Sequence, residues 1–173
     1  MLLLALLLAL GNGWEAKVRF THDPPRRSGG AEGAIHLDGA RVRIEEPTPA
    51  GLTVILAAGG KVRLLFPETK QFLEIDPAQA ALATVPPLSL EGLRQVGEER
   101  LDGRPCVIWE RVLTTAAGRV HQRLWVPRDA KRFVFLRFVT QTDRGATRAD
   151  LSELRETAQP DALFRVPRTY RKK

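Results

Sequence analysis

The chain has 173 residues, 43% hydrophobic and 27% charged, the proportions of a soluble globular domain long enough to bury one core. Its net charge of +7 and pI near 10.3 favour anionic partners (nucleic acid, anionic lipid headgroups or acidic proteins) without choosing among them. Cys106 is the single cysteine, which excludes an intrachain disulfide and a multi-cysteine zinc site.

Residues 2–10, LLLALLLAL, form an apolar run too short to span a bilayer and of the length of a secretory h-region. Cleavage after Gly13 fits best, because Gly11 and Gly13 are small at −3 and −1; cleavage after Ala16 puts Trp14 at −3. The expected division is a signal over 1–13, with an upper limit of 16, and one domain over 14–173. No cysteine follows the apolar run, so no lipid anchor of the Leu-x-x-Cys kind is expected, and the exported protein should be soluble in the periplasm.

KVRFTH (17–22) alternates as a strand, and DPPRRSGGAEG (23–33) reads as a loop. AIHLDGARVRIEE (34–46) is a hairpin with its turn at Asp38-Gly39, both expected at positive φ in a type I′ turn. LTVILAAGGKVRLLF (52–66) is a second hairpin turned at Gly59-Gly60, and KQFLEI (70–75) continues the meander. Over 76–96 the pattern changes. Asp76-Pro77 caps AQAALATV, and Ser89 caps LEGLRQV, which predicts one or two short helices. Strands resume in GEERLDGRPCVIWERVL (97–113, turned at Asp102-Gly103), GRVHQRLWVP (118–127), KRFVFLRFVTQ (131–141) and TRADLSELRET (147–157). The tail PDALFRVPRTYRKK offers Phe164, Val166 and Tyr170 as anchors before bare charge.

Catalytic patterns are missing. His22, His36 and His121 do not stand at metal-ligand spacing, and no serine sits in a Gly-x-Ser-x-Gly elbow. Glu45-Glu46 and Glu98-Glu99 are adjacent, so on strands each pair points to opposite faces. A non-enzyme without cofactor or metal is expected. Arg41 and Arg43 alternate with apolar residues as on a solvated sheet face, and Cys106 sits in a strand-like run as a small buried side chain. Arg119, His121, Arg123 and Trp125 share one face, a weak nucleic-acid platform that an exported protein has little use for. RFVFLRFVTQ and CVIWERVL are apolar on both faces with one arginine set in each. A central strand of a filled core looks like this, and so does a strand with one face toward an apolar ligand cavity.

In order, GAIHLDGARVRIEEPTPAGLTVILAAGGKVRLLFPETKQFLEI, the insert, GEERLDGRPCVIWERV, RLWVPRDAKRFVFLRFVTQTDRG and PDALFRVPRTY resemble the bacterial periplasmic lipoprotein-carrier superfamily, the LolA/LolB-like proteins. The resemblance runs over roughly residues 33–170 and implies an α+β fold: a curved antiparallel sheet, an unclosed β-barrel, covering short helices, with an apolar cavity between. It implies a carrier or chaperone of lipid or acylated lipoprotein, with the insert as a lid whose Ala78, Ala80, Ala81 and Ala83 permit movement. An anionic membrane surface is a further expected partner, nucleic acid is not, and the chain is expected to be a monomer. The expected lining is Val62, Leu64, Phe66, Trp109, Leu124, Phe133, Phe135 and Phe138, with Arg137 or Arg111 as polar contact. Which face of 133–139 looks inward is left open, so the set spans both. The competing reading is a filled-core interaction or sensor module of the envelope.

Overall fold

The computed structural model describes residues 13–25, 32–80, 85–115 and 118–173. The expected export signal lies outside the described residues, apart from Gly13. That residue opens the first strand, which begins four residues earlier than the alternation at 17 predicts. In chain order the strands are β1 (Gly13–Asp23), β2 (Glu32–Asp38), β3 (Arg41–Thr48), β4 (Gly51–Ala58), β5 (Lys61–Phe66), β6 (Gln71–Ile75), β7 (Arg94–Leu101), β8 (Arg104–Thr115), β9 (Gly118–Pro127), β10 (Arg137–Thr142), β11 (Gly145–Glu156) and β12 (Arg171–Lys172).

Among the described residues all twelve belong to one sheet, ordered β12-β6-β5-β4-β3-β2-β1-β11-β10-β9-β8-β7. Every pairing is antiparallel except the short β12–β6 edge contact. β5 and β8 stand eight strands apart in this order. Laid flat, eight spacings of about 4.8 Å would hold them about 38 Å apart. Yet both strands border a single cavity, so the sheet curls back toward itself without closing.

Alternation sets the inner row. Trp14, Ala16, Val18 and Phe20 of β1, Ile35 and Leu37 of β2, Val42 and Ile44 of β3, and Leu124 and Val126 of β9 are buried in one cluster on the concave face. The turns follow the glycines. Gly59 and Gly60 (φ 60° and 71°) and Asp102 and Gly103 (48° and 80°) take the two positive angles of a type I′ turn. The first hairpin differs. Asp38 pairs with Arg41, so the turn is Gly39-Ala40, and of these only Gly39 has positive φ (57°). That places glycine at the first central position, as in a type II′ turn.

The α+β expectation is not met. Helical structure among the described residues is limited to the one-turn α1 (Pro77–Ala80) and a 3₁₀ turn, Asp161–Phe164. Part of the first expected helix, 81–84, lies outside the described residues. The second, LEGLRQV, does not form. Gly92 takes φ 72° and ends a turn closed by Leu93 N–H on the Leu90 carbonyl (3.1 Å), and Arg94 and Gln95 then pair with Glu110 and Trp109 of β8. The unpaired edge of β8 wins over weak helical propensity. Ala80, Val85, Leu88, Leu90 and Leu93 of the insert still pack on the concave cluster. Residues 85–92 do so as irregular chain.

The outer face has two covers of its own. Val54, Leu56 and Leu65 are sealed by Phe164, with Leu163, Val166 and Tyr170 alongside. The expected solvated row is part of this seal: Arg41 donates to Asp161 (2.7 Å) and lies 4.5 Å from the Phe164 ring centre, and Arg43 donates to the Leu163 carbonyl (3.3 Å). The tail then docks, with Arg171 and Lys172 beside β6. The other cover joins Leu101, Cys106 and Trp125. Burial pushes the Cys106 thiol up, which keeps it protonated and unreactive.

Next to that patch Glu110 is 4% exposed and held by Arg123 (2.7 Å) and Arg94 (2.8 Å). The hydrogen bond from Arg123, aided by Arg94 and opposed by burial, holds its carboxyl below the usual carboxylate range. A depressed folded pKa stabilises the fold above the unfolded value of about 4.3 and loses that contribution as pH falls through the folded value. Both arginines are largely exposed, so solvent screening limits the effect to about 1 kcal/mol. E110Q should therefore melt below wild type at pH 7 and converge on it as the pH falls through the folded value, in paired melting curves across pH.

Candidate functional site

A cavity of about 460 Å³ opens where the curled sheet fails to close. One wall is Ala57 and Ala58 of β4 with Lys61 and Val62 of β5; the opposite wall is Arg111, Leu113, Thr114 and Thr115 at the end of β8. Ala80, Val85 and Leu88 of the insert fill the gap between them. Each strand offers the cavity its inward row: β5 does so through Val62, and β8 through Arg111 and Leu113, so the β4–β5 side and the insert are mostly apolar and the β8 side mixes Leu113 with Arg111, Thr114 and Thr115.

Arg111 is the polar exception on that row. Its Nε donates to Gln122 Oε1 (2.7 Å), and among the described residues no carboxylate pairs with it. Arg111 is half-buried, and this partial burial lowers its guanidinium pKa from the usual value. Gln122 is fully buried on the facing row of β9, and its Nε2 donates to the Val85 carbonyl (3.0 Å). One side chain thus links the cavity's cation to the insert. Sequence reasoning passed over Gln122. The available signal was a lone amide between Val120 and Leu124 on an apolar row, the same signal that marked Arg111 between Trp109 and Leu113.

Of the ten residues singled out in the sequence, Val62 and Arg111 stand on the cavity wall. Leu64, Trp109, Leu124, Phe133, Phe135 and Phe138 belong to the concave cluster beside it. There Phe135 stacks edge-on to Trp14 with ring centres 5.4 Å apart, and lies 6.2 Å from Phe133 and 6.4 Å from Phe138. Phe66 ends β5 at the 67–70 turn. Arg137 stands on the outer face, where it donates to Asp150 (2.6 Å) and lies over Trp125.

The expected strand over 131–141 is formed by 137–142 alone. An unbroken strand would send Phe135 and Phe138 to opposite faces. The irregular 133–136 stretch puts both on the concave side and frees the Phe133 carbonyl to accept from Trp14 Nε1 (3.1 Å). The open question of which face looks inward is thereby resolved by neither parity alone.

A second polar group sits on the concave face. His22 and Glu46 are both buried, with His22 Nε2 3.1 Å from Glu46 Oε1 and Nδ1 3.1 Å from Thr147 Oγ1. Buried Thr140 Oγ1 has no hydrogen-bond partner among the described residues. On the outer face Arg123 pairs with Glu110, and Trp125 Nε1 donates to Glu99 (2.6 Å), so two of the four residues of the Arg119–Trp125 row are engaged with acids. Among the described residues no group of three His, Cys, Asp or Glu side chains is placed to hold a metal ion, and no helix is long and apolar enough to cross a membrane.

No protein-family model matches this chain, and no curated protein matches it. Solved structures do. An uncharacterized conserved protein from Thermus thermophilus is 17% identical over 95% of this chain and 91% of its own, with a TM-score of 0.55. That likeness shows the fold. Further structural neighbours at low identity are the Mycobacterium tuberculosis lipoprotein LppX (14%, 87% of this chain and 90% of its own, TM-score 0.47) and a Vibrio parahaemolyticus domain assigned to outer membrane lipoprotein sorting (10%, 88% and 88%, 0.46).

Proposed function

We propose that this protein is a lipid-binding carrier of the bacterial envelope that holds an acyl chain between the concave sheet and the insert. The single observation behind this is the cavity at the unclosed seam: about 460 Å³, with Ala57, Ala58 and Val62 on one side, Leu113 on the other, and Val85 and Leu88 of the irregular 85–93 stretch between them. That volume lies within the range of small-ligand sites. Val62, Leu113, Val85 and Leu88 hold the chain. The row behind them, Leu64, Trp109, Leu124, Phe133, Phe135 and Phe138, is the wall that the end of the chain meets. Export to the periplasm, with removal of residues 1–13, fits this role, and so does a basic surface that meets anionic membranes. The work is binding and release, and it needs no cofactor.

The aromatic cluster also supports the second reading, a filled-core interaction module. A neutral apolar dye, N-phenyl-1-naphthylamine, separates the two. It should brighten on titration with the wild-type protein, and the cavity-filling variant Leu113→Trp should abolish the signal while its melting temperature stays within a few degrees. A wild-type protein that leaves the dye dark would exclude the carrier reading.

A further inference from the structure

Resting on the carrier reading, we infer that the cavity selects single-chain anionic amphiphiles, the chemistry shared by free fatty acids and lysophospholipids, with the anionic head on Arg111 and one chain between β5 and β8.

Charge gives the first argument. Among the described lining residues the charged groups are Arg111 and Lys61, and there is no acid. Lys61 leans outward toward Glu74 (3.8 Å) and is exposed. Arg111 is held inward by Gln122 through Nε alone, so the donors at its two Nη atoms have no protein partner among the described residues. A guanidinium presents those donors as a planar fork that fits a carboxylate or phosphate. A half-buried cation with two unpartnered Nη groups in the cavity wall is only partly solvated, and an anionic head would pair with it where a hydroxyl would not.

Size gives the second. A methylene fills about the volume of one water molecule, about 30 Å³, so 460 Å³ accommodates about fifteen of them. That is one chain of ordinary bacterial length. A diacyl or triacyl anchor needs two or three times the space, so the cargo that fits is smaller than the acyl anchor of a lipoprotein.

The test is displacement of N-phenyl-1-naphthylamine from the full mature chain by four competitors below their micelle concentrations: palmitate, hexadecanol, 1-palmitoyl lysophosphatidylglycerol and dioleoyl phosphatidylglycerol. Palmitate should displace at a tenfold or lower concentration than hexadecanol, which has the same chain without the charge. R111Q should erase that difference and leave hexadecanol unchanged. The comparison of palmitate with hexadecanol on wild type needs no variant, so it stands even where R111Q folds poorly. Whichever of palmitate and lysophosphatidylglycerol displaces at lower concentration identifies carboxylate or phosphate as the natural head. Hexadecanol equal to palmitate, R111Q without effect, or dioleoyl phosphatidylglycerol as good as the single-chain lipids would overturn the inference and leave the carrier reading intact. Failure of the dye itself to bind would remove both.

Discussion

Phe135→Ala should lower the unfolding free energy by about 3–5 kcal/mol, the range for removing a fully buried aromatic side chain. The phenyl ring is 1% exposed and sits at the centre of the concave face, touching Trp14 edge-on with Phe133 and Phe138 on its other sides. β1, β10 and the irregular 133–136 stretch meet there, so little can collapse into the hole. For a domain of this size each kcal/mol moves the melting temperature by about 2–4 °C, so the variant should melt about 6–20 °C below wild type. Phe135→Leu should recover much of the loss because it restores most of the volume. A drop of less than about 1 kcal/mol in urea titrations would mean that the cluster is loosely packed.

Gln122→Leu has the second-largest expected effect, for a different reason. Leucine nearly matches the shape but supplies neither the acceptor that holds Arg111 nor the donor that holds the Val85 carbonyl. A buried polar group left without a partner costs about 1–3 kcal/mol; the buried Val85 carbonyl bears that cost and half-exposed Arg111 less, so the sum is about 2–4 kcal/mol. The loss should fall on the insert first. Amides around Val85 and Leu93 should exchange with solvent several-fold faster than in wild type, while those of the central β1–β11 ladder change only with global stability. Gln122→Glu separates the two bonds. Its carboxylate can pair with Arg111 but faces the Val85 carbonyl with oxygen, so it should loosen the insert and also neutralise the cavity's cation. If insert exchange in Gln122→Leu matches wild type, the amide does not tether the insert.

Most strands were legible from alternation and glycine placement. The 42–44 and 120–124 rows alternate because their inner face lies on the core and their outer face is polar, whereas 54–57 is apolar on both faces because Phe164 covers its outer side. TRADLSELRET read correctly as β11 despite few apolar residues, because only Ala149 and Leu151 of its inner row need to reach the core. The misreadings share a cause: local pattern was overruled by partners distant in sequence. Leu90–Val96 had helical propensity, but the open edge of β8 and Glu110 captured Arg94. Residues 131–136 read as strand, but Trp14, more than a hundred positions away, takes the Phe133 carbonyl. Arg41 and Arg43 read as solvated until the C-terminal 3₁₀ turn covered them.

The site was legible in part for the same reason. Alternation puts Val62 on an apolar row and leaves Arg111 and Arg137 as alternatives for the inward polar contact. It cannot show that strands eight places apart face each other across a seam, because that depends on curvature accumulated over the whole sheet. Arg111 and Arg137 looked equivalent in sequence, each alone on an apolar strand. Only the register decides between them: Arg137 pairs across from Asp150 on the outer face, and Arg111 across from Gln122 on the inner one.

The most direct measurement of the central claim is native mass spectrometry of the protein purified gently from the bacterial envelope, followed by organic extraction of whatever it holds. The account predicts one acyl-chain lipid per chain, retained at low collision energy, and a higher melting temperature when the same lipid is added back to stripped protein. A bare mass, together with no binding and no thermal shift on adding lipid, would contradict it and leave the curved sheet as a scaffold for protein contacts.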